Sequence, residues 1–445
     1  MLGPVATAAA DYIAAAPDRR YPPEVTEAAL KCLTDVVGVA IGGRRARVVE
    51  LALAEIARWQ AEGDAAIFLG PRTTPALAAI VNATMAHVDD FDDTHIPTDA
   101  HFSAPIWPAL LALSSELDVN EQDLLVAFIT GFEVGAKLGG RRLGHAMLAR
   151  GFHATGVMGR LGSAAASAAL LGLDAEKAAH ALALAATQSG GLAGAAGSMS
   201  KAYQSAKTAQ DGLVAARMAA DGFVAAPGIF EEGGGLARAF VQDGFAEVME
   251  PDFESDWAVL RNSFKPYACL HGIHPAVDAA RELAPQIGGR EVLRIQAFVA
   301  PGVARVGGIE SPTTVLEGKF SVRFCVALGL TGSKAHAKDF TEAALVDPNL
   351  RAFMEKIEIV PVEGRKMLDA AVTVTFKEGE AIEADIPLSF GHPGNPMGWS
   401  DLEEKFHRSV ESELGDNTTT LFEMLKKFDE PGNLARLWQL AAPSE

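Results

Sequence analysis

Cysteine is scarce in this chain: its 445 residues include only Cys32, Cys269 and Cys325. Three scattered thiols make neither a disulfide framework nor a structural zinc site, so a reducing compartment is expected. Positive charge is also short. Lysine and arginine number 38 against 57 acidic residues, a formal net charge of −19, and such a surface repels a phosphate backbone and excludes nucleic acid as a partner. Long hydrophobic runs are missing, none reaching the roughly eighteen uncharged apolar residues of a membrane span. The opening MLGPVATAAADYIAAAPDRR lacks a basic leader and carries Asp11 within its apolar stretch, unlike a secretory signal. A cytoplasmic protein with no membrane partner is expected. What remains, 49% hydrophobic and 21% charged residues, is the composition of a folded globular chain, long enough for roughly two or three domains.

To about residue 260, helix-length apolar-periodic segments rich in alanine alternate with short breaks, which predicts an all-helical region. Pro22 and Pro23 open one helix, its stripe runs through Val25, Ala28, Ala29, Cys32, Leu33 and Val36, and Gly42 and Gly43 close it. Further helices are predicted near 47–62, 75–89, 105–117, 121–137, 155–171, 174–188 and 201–221. Beyond 260 the texture changes. EVLRIQAFVA, EKIEIVPV, AAVTVTF and AIEADIPLS show β-branched alternation of strand length, while KFSVRFCVALGL and DFTEAALV read as helices. From about 399 helical texture returns, with Ser400 three residues before Glu403 as an expected capping box. The fold class is therefore mainly α: a helical domain over 1–262, completed by C-terminal helices at 392–445, and a smaller α+β lid domain over 263–391.

Chemistry concentrates in four segments. HVDDFDDTHIPTDAH places Asp89, Asp90, Asp92, Asp93 and Asp99 with His87, His95 and His101 inside fifteen residues. Three readings stand side by side: a solvated acidic loop, a metal site in which Asp89, Asp90 and Asp93 form the DDxxD pattern of magnesium-dependent isoprenoid synthases, and acid/base catalysis by carboxylate-oriented histidines. The low aromatic share of 7% and the lack of a second metal motif count against the synthase. In ARGFHATGVMGRLGS, His153 precedes a Gly- and Ser-rich helix start whose N–H groups suit an anion, though a structural loop histidine fits equally. In SMSKAYQSAKTAQ, a Gly-rich turn delivers Lys201 to a helix start without the order of a phosphate loop, and a solvated lysine is the ordinary alternative. NSFKPYACLHGIHPAVDAA sets Lys265 at the predicted domain boundary, where clefts favour ligands. His271 and His274, in the same segment, read as packing residues.

Taken in order, HVDDFDDTH, GFHATG with RLGSAAASAALLGL, the SK before a helix, FKPYACLHGIHPAVDAA, KFSVRF and GHPGNPMGWSDLEEKF resemble the MmgE/PrpD family. That family comprises 2-methylcitrate dehydratases, cis-aconitate decarboxylases and iminodisuccinate epimerases. The resemblance implies a helical domain with an α+β lid, a cofactor-free homodimer with no metal, and a small anionic carboxylate as substrate. Carried over from the decarboxylase branch, it implies Asp90, His101, His153 and Lys265 as catalytic and Thr94 and Lys201 as substrate-binding. Two departures belong to the same site: Phe324 stands where that branch has a tyrosine, and Gln204 falls where many relatives have a proline-aromatic-histidine-glycine run after the lysine. A further departure is Leu148, near the place of a tyrosine ahead of GFH. The implied activity is a metal-independent lyase on a di- or tricarboxylate, dehydration ahead of decarboxylation, with epimerisation beside a carboxylate as the alternative and a magnesium-dependent isoprenoid synthase as a distant one.

Overall fold

Alanine packs helices closely, and the first part of the chain uses that property throughout. The computed structural model describes residues 3–139, 143–230, 235–241 and 252–443. Helix Pro23–Gly43 begins where the proline pair allows, and buries Val25, Ala29, Cys32, Leu33 and Val36. Helices Pro75–His87, Ser103–Leu113, Glu121–Leu138, Arg160–Leu170 and Met199–Ala220 pack against one another around it. Several of them are buried almost all round, as their uniform apolarity predicts. Close approach requires small residues: a Cβ on Gly131 would lie 2.5 Å from the Gly162 carbonyl oxygen.

Two short ladders interrupt the predicted all-helical region. β1 (Ala65–Ala66) pairs with β2 (Arg72–Thr73), and β3 (Thr94–His95) pairs antiparallel with β4 (Asn262–Ser263). Two-residue strands have no period to read in a sequence. The second ladder matters for function because it ties the aspartate-rich loop to the segment carrying Lys265.

The predicted strands form one sheet in the order β6–β5–β7–β8, from β5 (Val292–Val299), β6 (Ile357–Pro361), β7 (Ala370–Phe376) and β8 (Ala381–Ile386). β5 and β6 run parallel, and the other pairs are antiparallel. Helices His274–Ile287 and Val322–Leu330 pack on each other, and His274–Ile287 also covers the sheet, giving two layers around a core that includes Ile295, Val372 and Val374. The C-terminal helix Trp399–Leu414 returns to lie on Pro23–Gly43. Its cap differs from expectation. Gly398 is the N-cap and its N–H donates to Asp401 Oδ2 at 2.8 Å, so Ser400 lies inside the first turn because the carboxylate serves the earlier N–H. Among the described residues no helix is long and apolar enough to cross a membrane.

Candidate active site

Helix Pro75–His87 ends in the aspartate-rich loop, and the loop turns inward rather than into solvent. Asp90, Asp92 and Asp93 are buried, so the solvated reading fails. Asp90 takes a left-handed backbone, φ 50°, a conformation a non-glycine residue holds only when its surroundings fix it. Here the fixing groups are cations. Lys201 Nζ donates to Asp90 Oδ1 at 2.7 Å, and Lys265 Nζ donates to the same oxygen at 2.9 Å and to the Asp90 carbonyl at 3.0 Å. Burial alone would raise the Asp90 carboxyl, but the two ammonium groups overcome it and hold it well below the usual carboxylate range.

The DDxxD carboxylates diverge. Asp89 accepts from Lys319, Asp90 from Lys201 and Lys265, and Asp93 points to a separate buried cluster with Asp35, Ser103 and Asn262. They do not present one face to a metal ion, which removes the observation behind the synthase reading.

Asp92 organises two histidines. His87 Nδ1 lies 2.9 Å from Asp92 Oδ2 and His101 Nδ1 lies 3.0 Å from the same oxygen. An ionised carboxylate only accepts, so His87 Nδ1 carries a proton, and its Nε2 receives the Lys201 ammonium at 3.0 Å. Burial pushes the His87 imidazole down to about 4, and the ring is neutral at ordinary pH. Asp92 fixes the His101 ring, whose Nε2 lies 4.0 Å from Asp90 Oδ1. His87 Nδ1, Asp92 and His101 Nδ1 are the described groups close enough to share a metal ion, but the adjacent Lys201 and Lys265 ammonium groups oppose a second cation there.

His153 enters from the other side. Its Nδ1 accepts from Gln204 Nε2 at 2.9 Å, while Gln204 Oε1 accepts from the Leu192 N–H at 3.1 Å. Gln204 thereby sets the His153 tautomer, leaving Nε2 as the protonated nitrogen. Burial first, and then the Lys201 charge, keeps His153 well below the ordinary histidine range. The His153 and His87 ring centroids are 6.1 Å apart, those of His87 and His101 4.6 Å.

Local structure explains these placements. Helix Met199–Ala220 puts Lys201 in its first turn, and no side chain caps that turn because Ser198 gives its hydroxyl to the Ala195 carbonyl. Gly391, from the GHPGNPMGWS motif, receives the Phe264 N–H at 3.1 Å and the Ser263 hydroxyl at 2.9 Å. At φ 89° a Cβ there would sit 2.0 Å from the Phe264 oxygen, so the motif's glycine locks the strand beside Lys265. His271 and His274 bond Ser263 Oγ and the Cys269 carbonyl, the packing roles expected of them.

The structure thus brings Asp90, His101, His153, Lys201, Lys265 and Gln204 together. Thr94 sits buried on β3 with its hydroxyl unpaired. Phe324 is set apart: its ring is fully buried against Phe340, 5.8 Å between centroids, beside Gly318. Three participants escaped the sequence patterns. Asp92 and His87 lay inside the quoted motif, but nothing in their spacing separated them from the other aspartates and histidines. Lys319, inside KFSVRF, is fully buried and lines the pocket with His87, Asp90, Lys201 and Phe320.

Residues 7–248 match the MmgE/PrpD N-terminal domain and residues 267–427 the MmgE/PrpD C-terminal domain. The chain belongs to the MmgE/PrpD family. Similar members include the cis-aconitate decarboxylase-like protein oryM of Aspergillus oryzae, 27% identical over 88% of this chain and 87% of the relative. The cis-aconitate decarboxylase of Homo sapiens is 26% identical over 81% and 78%, and that of Aspergillus terreus 26% over 83% and 82%. In this MmgE/PrpD chain, the motif order read from the sequence maps onto one pocket at the junction of the helices with the sheet-bearing part.

Proposed function

We propose that this MmgE/PrpD protein is a metal-independent lyase acting on a small polycarboxylate of the cis-aconitate type, with decarboxylation ahead of dehydration. One observation carries the reading: Lys201 and Lys265 converge on one buried carboxylate beside neutral histidines. Buried ammonium groups held this way are preorganised to meet a substrate carboxylate in a site where water is scarce. The decarboxylase relatives reverse the order of reactions expected from sequence.

In such a reaction the CH2–COO− arm loses CO2. The pair from the broken bond forms a new C=C, and the former double-bond pair moves to the carbon beside a remaining carboxylate, where a proton completes the product. Lys201 and Lys265 balance charge growing on that carboxylate. His101, braced by Asp92, supplies the proton through Nε2, since Asp92 offsets charge on the ring as the proton moves. His153, neutral, donates a hydrogen bond from Nε2. Asp90 holds the lysines in register while the site is empty. Epimerisation or proton exchange stands second, because Phe324 removes a hydroxyl that the decarboxylase branch carries.

Proton NMR in D2O with EDTA, against cis-aconitate, 2-methylcitrate, citrate and iminodisuccinate, tests the reading. Loss of cis-aconitate with a deuterated five-carbon product is expected, at a rate EDTA leaves unchanged. Loss of a single α-proton signal without a new product would give the epimerase, and turnover restored only by added metal would overturn metal independence.

A further inference from the structure

Resting on the lyase reading of the same pocket, we infer that Lys319 is a specificity-determining residue that selects a tricarboxylate over a dicarboxylate by supplying a third fixed cation. It follows the short helix Val315–Gly318, capped by Thr314, and its own carbonyl accepts the Leu270 N–H at 2.9 Å. The Lys319 segment is thereby tied to the one carrying Lys265. The side chain is fully buried and lines the cavity that also exposes Lys201, His87 and Asp90.

Its ammonium donates to the Asp89 carbonyl at 2.9 Å and to Asp89 Oδ1 at 3.0 Å, and stands 5.0 Å from the Phe340 ring centre. These bonds engage two acceptors on one residue, while an ammonium carries three donors. The arrangement parallels the other lysines: Asp90 neutralises Lys201 and Lys265, and its neighbour Asp89 neutralises Lys319. Three ammonium groups therefore bound the pocket region on consecutive aspartates. A substrate with three carboxylates can meet all three, whereas one with two leaves a buried cation without a new partner, and sites built this way discriminate strongly against the poorer ligand. A lysine that only anchors the loop would not distinguish the two ligands.

The test uses propane-1,2,3-tricarboxylate and glutarate as unreactive competitors of cis-aconitate turnover, with the wild type, Lys319→Met and Lys319→Gln. Glutamine removes the charge but keeps donors for Asp89, so it anchors the loop where Met fails to fold. In the wild type the tricarboxylate is expected to inhibit about 100-fold more tightly than glutarate. The Lys319 variants are expected to lose most of that preference by weakening the tricarboxylate alone, with KM for cis-aconitate rising more than kcat falls. Equal weakening of both competitors, or no change in either, overturns the inference and leaves Lys319 a loop anchor. A wild type that neither turns over a polycarboxylate nor binds either competitor overturns the lyase reading itself.

Discussion

One loop feeds two buried ionic clusters, and they ionise in opposite senses. On the pocket side Asp90 meets Lys201 and Lys265 and is held strongly ionised. Three residues later Asp93 lies against Asp35 behind the pocket, where Lys405 bonds Asp35 Oδ1 at 2.5 Å and the Phe91 carbonyl at 2.7 Å. Burial first, and then the Asp35 charge, pushes the Asp93 carboxyl up to about 7. Residue type and depth are the same, so the sign of the neighbours decides. The front cluster has a surplus of cations facing a cavity, as suits an anionic ligand. The rear one has two carboxylates on one lysine and joins the loop to helices Pro23–Gly43 and Trp399–Leu414.

Removing a cation from each cluster should separate function from stability. Lys265→Met is expected to lower kcat/KM for the true substrate by about 10³-fold, the loss of a fixed charge at a developing oxyanion, with a far smaller proportional effect on folding yield. Steady-state kinetics on the folded fraction measures it, and wild-type kinetics in this variant would break the front–rear distinction. Lys405→Met should do the reverse. It leaves two buried carboxylates without their cation and is expected to cost about 3–5 kcal/mol of stability, read by urea denaturation, while the protein that remains folded keeps its KM.

Much of this contrast was visible in the sequence, but not the part that sets the sign. Helix Pro23–Gly43, the four strands of the sheet and the pairing of Lys201 and Lys265 with the aspartate loop followed from period, turn chemistry and motif order. The two-residue ladder between Thr94–His95 and Asn262–Ser263 did not, because its partners stand far apart in the chain and are too short to show alternation. Nor did the division of labour among the aspartates. Asp90, Asp92 and Asp93 are equivalent as letters, and only the folded positions of Lys201, His101 and Asp35 distinguish them. Lys319 illustrates the same gap: a lysine in an otherwise apolar motif gives no sign of burial until its carboxylate partner is located.

Changing the charge of Asp93 sharpens the comparison with a pH profile. Its folded pKa is raised from the ordinary 3.8 to about 7, so its contribution to stability is fully present below about pH 4 and is lost as pH rises through 7. Asp93→Asn stays neutral at every pH. Thermal melts should therefore show a gain on the order of 2 kcal/mol at pH 8 that shrinks toward zero by pH 4. His87 works the other way: lowered to about 4 from 6.5, it contributes stability above 6.5 that is lost as pH falls through 4. The variant should consequently be steeper than the wild type on its acid limb, and a pH-independent gain would show that Asp93 is already ionised in the folded state.

The smallest effect concerns the residue that lies outside both clusters. Phe324→Tyr restores a hydroxyl at the position where the decarboxylase branch carries one, but the ring is enclosed by Phe340 and Gly318. A hydroxyl buried there without a partner costs about 1–3 kcal/mol. The melting temperature is expected to fall by a few degrees while cis-aconitate turnover changes less than twofold. A tenfold gain in turnover would mean that the ring edge reaches the substrate, and Phe324 would then belong with Lys201 and Lys265 among the groups that choose the reaction. The predicted indifference instead assigns that choice to Lys319, Gln204 and the histidines, whose polar atoms the structure brings to the pocket or to one another.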